Sequence, residues 1–382
     1  MRSVYLTSPK APLNPRIFKK RIRRADADIR PGEVVALRNS NKEFVARAFY
    51  NGKSVIAARV LDRDENGPPI DTQWFSERLR SALRLRREVL RLEAVTDAYR
   101  VVHAEGDGLG ALMIDWYAGV AVIEVGSRGM FEHLDEIIDA VRAELGTNRI
   151  VVRAQKAAMD AEGFKVLDRR AADIEVEIRE HDLRFLVHCS GGHKTGFFVD
   201  QREARRDVAW LAKGRKVLDL CCYTGGFALA AARGGAESVV GVDLDEEAVA
   251  RAKDNAALNK LDVSFEHADT FDFLRTNPDA DLIVLDPPKL VMTPRALPIA
   301  HKKSVDFNRL ALSALKPGGL LFTFCCSGLI RPEEFASQIR EASLRAERPV
   351  RILRMTGQPP DHPVHVHCPE GRYLTGFLVQ VV

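Results

Sequence analysis

Between residues 216 and 259 the chain runs through a short apolar stretch, a glycine turn, a helical stretch, a second apolar stretch and a second helix. Few folds accept that order. A strand that crosses through a helix to a parallel neighbour is a βαβ unit, and repeated units give a parallel sheet with helices on both faces. The pattern predicts a strand over 216–220, a helix from near Gly226, a strand over 238–243 and a helix over 246–259. That last helix gathers Val249, Ala252 and Ala256 on one face, with Asp245 placed as its N-cap. Strand-like runs at 263–266, 282–285, 320–325 and 373–382 continue the series. Residues 189–382 are expected to form an α/β, Rossmann-like domain.

The preceding chain has a different texture. Residues 1–72 carry β-type runs at 33–37, 44–49 and 55–60, separated by Arg30-Pro31-Gly32, Asn39-Ser40-Asn41 and Asn51-Gly52. They predict a small β-rich domain, with 64–69 as its exit linker. Residues 73–188 predict a central α+β domain. It has helical stretches at 75–90 and 131–145 and strands at 98–105, 112–117, 120–125, 149–153 and 174–178. A chain of 382 residues is long enough for two or three such cores.

Charge separates the parts further. Residues 1–60 hold 14 Lys and Arg against 4 Asp and Glu, a balance of +10 within a net +4, so the rest carries −6. A basic module on an otherwise acidic protein suits a polyanion such as nucleic acid, although a solvated Arg-rich face would look the same. No run approaches the roughly 18 apolar residues of a membrane span, and residues 1–13 lack the apolar core of a secretory signal. A cytoplasmic protein is expected. The six cysteines show no C-x-x-C spacing, and Cys221-Cys222 and Cys325-Cys326 are adjacent, which argues against a disulfide framework. His188, Cys189 and His193, and the run from His362 through His365 and His367 to Cys368, could chelate. An extended strand would set His365 and His367 on one face and Cys368 on the other, and no second cluster completes a closed site, so no metal is expected.

The motif from Val217 to Phe227 follows the first strand of the α/β segment and includes Asp219, Tyr223, Gly225 and Gly226. Its glycines permit a tight turn and close approach to a ligand. Asp243, 17 residues beyond Gly226, ends the next strand and can accept from both hydroxyls of a ribose. The G-x-G-x-x-G spacing that receives a pyrophosphate is absent. Instead an acid, Asp219, precedes the glycine turn, where it can face a cation. S-adenosylmethionine, with an ammonium, a sulfonium and no phosphate, fits that arrangement better than a nicotinamide dinucleotide. Asp269, after the third strand, could accept from the adenine amino group, although an acid at a strand end is often only a helix cap.

Asp286-Pro287-Pro288-Lys289 closes the fourth strand and can present a carboxylate and stiff backbone carbonyls to a planar amino-bearing base. A plain Pro turn is the alternative. Cys325-Cys326-Ser327-Gly328 closes the fifth. A thiolate that adds to carbon 6 of a pyrimidine activates carbon 5 toward methylation. Side chains alternate along a strand, so one cysteine should be core and the other should face the cleft. Two buried small hydrophobes are the competing reading.

Taken together, these motifs resemble the bacterial large-subunit rRNA cytosine-C5 methyltransferases, which join an N-terminal PUA domain to a class I S-adenosylmethionine-dependent methyltransferase domain. The resemblance runs nearly the whole length. Pro15-Arg16-Ile17-Phe18, Gly32 to Val35 and the stretch from Tyr50 to Val60 look like the PUA domain, and Glu105 to Leu109 with Ile114-Asp115 resembles the central domain. Gly192 to Arg202, Tyr223 to Phe227, Asp286 to Lys289, Cys326-Ser327-Gly328 and the segments Asp361 to Pro363 and Pro369 to Gly371 are similar to the catalytic domain. The resemblance implies cofactor contacts at Gln201, Arg202, Asp219, Tyr223, Gly225, Asp243 and Asp269, a pyrimidine held near Asp286, and Cys326 as the nucleophile. Leu290 departs from the aromatic usual there, and Cys325 stands where a small polar residue is usual.

The reaction this implies is methyl transfer to carbon 5 of a cytosine in large-subunit rRNA or its precursor, the target being single-stranded or flipped out. Lys194 and Lys289 are candidate phosphate contacts, and binding should weaken as salt rises. Two rivals keep the fold: a methyltransferase for base nitrogens, which needs no cysteine, and a non-catalytic RNA-binding assembly factor. The oligomeric state is open, a homodimer included.

Overall fold

A computed structural model of the chain describes residues 1–166, 174–189, 196–276, 278–291 and 293–382. It divides into two compact units: Met1–Arg179 with Val187–Val199 and Pro360–Gly371, and Glu180–Leu186 with Asp200–Pro359 and Arg372–Val382. Among the described residues no helix is long and apolar enough to cross a membrane.

The first unit opens with a six-stranded sheet of β1 (Ser3–Leu6), β2 (Arg16–Phe18), β3 (Ile22–Ala25), β4 (Val34–Arg38), β5 (Phe44–Tyr50) and β6 (Ile56–Asp62), in the order β2-β6-β5-β4-β1-β3. The meander β4–β5–β6 is the one the apolar runs predict. β1 to β3 escape that reading because each has only three or four residues, and β3 exposes Arg23 and Arg24. Val4, Ile17, Leu37 and Val45 form its core. Residues 64–69 are strapped down at Gly67 and Pro68, whose carbonyls accept from Arg47 while that guanidinium also pairs with Asp62.

The same unit continues with α1 (Thr72–Arg84), β7 (Ala98–His103), β8 (Leu112–Tyr117), β9 (Val120–Val125), α2 (Arg128–Glu132), α3 (Leu134–Leu145), β10 (Ile150–Arg153) and α4 (Lys156–Glu162). The sheet order is β10-β9-β8-β7, and α1 packs with α3. Two expected helices differ from their predicted form. The stretch 75–90 ends as α-helix at Arg84 and continues as one wide π turn, with Leu90 N–H donating to Leu85 O. The turn delivers Arg86 into the interior, where its fully buried guanidinium reaches Asp107 and the carbonyls of Ala82, Arg100 and Asp361. The stretch 131–145 is broken at His133, with Ser127 capping the short α2. At Gly129 any Cβ would lie 2.2 Å from Phe49 Cγ, so only glycine lets α2 meet the N-terminal sheet. Residues 362–368, expected as extended, form a turn-rich loop instead. A two-stranded ribbon of β11 (Glu175–Glu180) and β12 (Leu183–His188) follows.

The second unit is the doubly wound sheet. Its elements are α5 (Arg202–Leu211), β13 (Lys216–Leu220), α6 (Gly226–Arg233), β14 (Ser238–Asp243), α7 (Glu246–Asn259), β15 (Ser264–His267), α8 (Thr270–Arg275), β16 (Ala280–Leu285), α9 (Leu297–Ala314), β17 (Leu315–Cys325), α10 (Pro332–Ala346), β18 (Val350–Gly357) and β19 (Thr375–Val381). The order β15-β14-β13-β16-β17-β19-β18 is parallel through β17, and β19 runs antiparallel to both neighbours. Asp245 caps α7 as predicted, accepting from Glu247 and Ala248. The unforeseen β18 is an edge strand whose exposed Arg351, Ile352, Leu353, Arg354 and Met355 give no alternating pattern.

Strand order reverses between β13 and β16, and such a switch opens a crevice at the carboxyl ends of the strands. Leu218 and Leu220 share a core with Leu274 of α8, Phe307 of α9 and Phe335 of α10. Asp219, between them, therefore faces the opposite side of the sheet, toward the start of α6.

Candidate active site

The chain turns sharply after β13. Cys221 (φ 62°), Tyr223 (φ 49°) and Gly225 (φ 83°) are all left-handed, and α6 begins at Gly226. A Cβ at Gly225 would lie 2.9 Å from the Phe265 ring and 3.2 Å from Ala252 Cβ, so the turn is pressed against β15 and α7. Left-handed backbone is costly for any residue but glycine, and a run of it marks a loop held for a purpose.

Asp219 is fully buried. Its Oδ2 accepts from Ala228 N–H at 2.8 Å, while Oδ1 has no hydrogen-bond partner among the described residues. Burial pushes its carboxyl up to about 8; the Ala228 N–H opposes this, and the charges of Asp286 and Asp243 add to the rise. Asp243 accepts from Tyr223 N–H on Oδ2 at 2.8 Å and from Asp245 N–H on Oδ1 at 2.9 Å. Each oxygen keeps a lone pair for a further donor. Asp269 is the N-cap of α8, its Oδ1 taken by the N–H groups of Phe271 and Asp272. Capping and ligand binding are compatible here through Oδ2.

This arrangement fits S-adenosylmethionine. A buried carboxylate with an open acceptor, raised by its own desolvation and by two neighbouring acids, calls for a cation. Three acids at strand ends would repel a pyrophosphate. The glycine turn lets backbone approach a ligand closely.

Gln201 and Arg202 are both buried, and they differ in what they meet. Gln201 Nε2 donates to Asp286 Oδ2 at 2.9 Å, so its amide serves the Asp-Pro-Pro loop. Arg202 opens α5 with Nε 3.5 Å from Glu203 Oε1. On the other oxygen of Asp286, Oδ1, the Cys326 thiol is 3.6 Å away. Asp286 thus joins Gln201 on one side to Cys326 on the other.

Cys325 is the last residue of β17 and Cys326 the first beyond it. Both line a cleft walled by Pro287, Leu290, Phe307, Phe324 and Ile330. Cys325 also packs on the α8–α10 core, and burial pushes its thiol up to about 11. Burial raises Cys221 to about 12 and Cys222 well above the usual thiol range. These three stay protonated near neutral pH and are poor nucleophiles. Leu290 fills the place of the missing aromatic as part of the wall. Lys289 is exposed, while Lys194 and His193 lie outside the described residues. Cys189 and Cys368 are buried thiols, and among the described residues no group of three or more metal-ligating side chains is assembled.

The sequence reading overlooked Ser304 and Asn308 of α9, which also line the cleft. Their signal was a polar pair at i and i+4 on a face otherwise made of Ala300, Phe307 and Ala311.

A profile of S-adenosylmethionine-dependent methyltransferases matches residues 107–367, and a PUA-like domain profile matches residues 13–63. The chain is 37% identical to the ribosomal RNA large subunit methyltransferase I of Aeromonas hydrophila, over 96% of this chain and 95% of that one. It is 38% identical to the protein of the same name from Tolumonas auensis, over 97% and 96%. A solved structure of a Streptococcus mutans protein described as a SAM-dependent methyltransferase has the same fold, with a TM-score of 0.82 and 22% identity over the whole of both chains. A methyltransferase solved in complex with SAH superposes with a TM-score of 0.81 at 21% identity over 99% of each chain. The protein uses S-adenosylmethionine, and the chain belongs to the S-adenosylmethionine-dependent methyltransferase family, in the group that carries an N-terminal PUA-like domain and includes the ribosomal RNA large subunit methyltransferases I.

Proposed function

We propose that the protein methylates carbon 5 of a cytosine in RNA, with large-subunit rRNA or its precursor as the substrate, in the cytoplasm. The observation that carries the chemistry is the 3.6 Å pairing of Cys326 Sγ with Asp286 Oδ1, with Cys326 lining a mainly apolar cleft. The names of the relatives and the PUA-like match support the substrate class. On this reading residues 1–72 are the RNA-binding PUA module, 73–188 the central domain and 189–382 the catalytic domain.

Asp219, Tyr223, Gly225, Asp243 and Asp269 hold the cofactor. The cofactor supplies an electrophilic methyl group. The Cys326 thiol gives its proton to Asp286 as sulfur bonds to carbon 6. The ring π electrons shift toward N3, which takes the proton from Asp286, and carbon 5 becomes nucleophilic. After carbon 5 is methylated, a base removes its proton. The C5–C6 double bond re-forms, sulfur is expelled, and N3 returns its proton through Asp286 to the departing thiolate. The carbon-5 proton is the one released overall. Gln201, bonded to the far oxygen, keeps Asp286 aimed at the sulfur.

The test is transfer of labelled methyl from S-adenosylmethionine to rRNA from a strain lacking the gene, followed by nucleoside analysis. Label in 5-methylcytidine supports the proposal. Label in an N-methylated nucleoside overturns carbon methylation, and no label together with no cofactor binding returns the protein to the role of a binding factor.

A further inference from the structure

We propose that Asn308 selects cytosine over uracil, by accepting a hydrogen bond from the exocyclic amino group of the target base. The inference rests on the cytosine reading above and assigns a residue that this reading does not use.

Asn308 lies in the middle of α9 and is 2% exposed. Asparagine is a poor choice for a helix interior, because its side chain competes for backbone hydrogen bonds. Here that competition fixes its orientation. Asn308 Nδ2 donates to Ser304 O, one turn earlier, at 2.8 Å. Turning the amide over would set its oxygen against that carbonyl oxygen, so the free end must be Oδ1. Among the described residues Oδ1 has no partner, although it is buried. A buried acceptor left unmade is a standing cost unless a ligand relieves it.

Asn308 lines the cleft that also holds Cys326, among apolar neighbours such as Phe307, Phe324 and Leu290. Cytosine and uracil have nearly the same shape, so these walls cannot tell them apart. They differ at C4, where cytosine offers an N–H donor and uracil a carbonyl acceptor. A fixed, unpartnered acceptor satisfies the first and repels the second. Sites built to pair one polar group reject the analogue lacking it far more strongly than apolar walls reject a small change of size.

The test compares wild type with Asn308→Leu, which keeps the branched side-chain shape and heavy-atom count without the acceptor, on transcripts of the methylated region carrying cytidine or uridine at the mapped position. The proposal predicts that Asn308→Leu lowers the cytidine-to-uridine ratio of kcat/KM by about 10-fold to 100-fold. Its melting temperature should be unchanged or raised, because a buried unpaired oxygen is gone. A wild-type ratio in a folded variant that binds S-adenosylmethionine overturns the proposal. A large fall in melting temperature with the ratio unchanged in Asn308→Ala as well assigns Asn308 a structural role and also overturns it. Failure of the parent reading looks different, since the wild type itself would then make no 5-methylcytidine.

Discussion

Gln201 donates its side-chain amide to Asp286 Oδ2 at 2.9 Å, on the carboxylate oxygen opposite the one that faces Cys326. The acid is thereby held from one side while it addresses the thiol from the other. Sequence resemblance assigned Gln201 to the cofactor, and in the structure its amide nitrogen is engaged by Asp286. Gln201→Leu should lower kcat about 10-fold to 100-fold, equivalent to about 1.4–2.7 kcal/mol of lost positioning. Its Kd for S-adenosylmethionine, measured by calorimetry, should stay within a few-fold of wild type. A Kd raised in proportion to the loss of activity would put Gln201 back among the cofactor ligands.

The neighbouring cysteines should separate cleanly. Cys325 packs on the core and burial holds its thiol at about 11, so Cys325→Ala should keep activity within a few-fold. Cys326→Ala should abolish turnover while leaving cofactor binding intact. Methyl-transfer rates of the two variants at equal cofactor occupancy decide the assignment.

Asp219 should make stability and cofactor binding depend on pH in opposite ways. Its folded pKa, about 8, lies above the unfolded value near 3.8. Between these values the folded state holds a proton the unfolded chain has released, so the stability it contributes is full below pH 4 and lost as pH rises through 8. Asp219→Asn should therefore melt higher than wild type at pH 8 without cofactor. With Asp219 as the acid proposed to face the cofactor's cation, binding should require its ionised form and should release a proton below pH 8. S-adenosylmethionine should raise the wild-type melting temperature and leave that of the variant unmoved.

Arg86 supplies a test of the fold. Its guanidinium is fully buried and tied to Asp107, Arg100 O and Asp361 O. Arg86→Leu strands the Asp107 carboxylate and should cost about 3–5 kcal/mol in urea unfolding. A loss under 1 kcal/mol would mean that water replaces the guanidinium.

Much of this was legible in the sequence where one local rule dominates. The strand Lys216–Leu220, the helix Glu246–Asn259 and the cap at Asp245 follow from apolar runs and a single acid. The placement of Asp219, Asp243 and Asp269 near strand ends was readable because strand ends are marked by the turns that follow them. What was not legible depends on partners distant in sequence. The π turn at Arg86 answers to acceptors as far away as Asp361. β18 is an edge strand with exposed apolar and basic residues, and no period-2 pattern announces it. The bond from Gln201 to Asp286 spans 85 residues, and the free oxygen of Asn308 emerges only once α9 is laid against the end of β17.

The proposed covalent bond between Cys326 and carbon 6 of the target base is tested most directly by trapping it. RNA carrying 5-fluorocytidine has no removable proton at carbon 5, so elimination stops and the adduct persists. Incubation with S-adenosylmethionine should give a protein–RNA species stable to denaturing electrophoresis, absent in Cys326→Ala, with the modified peptide mapping to Cys326. Methyl transfer to ordinary RNA with no trapped species on fluorinated RNA, or an adduct on Cys325, would contradict it.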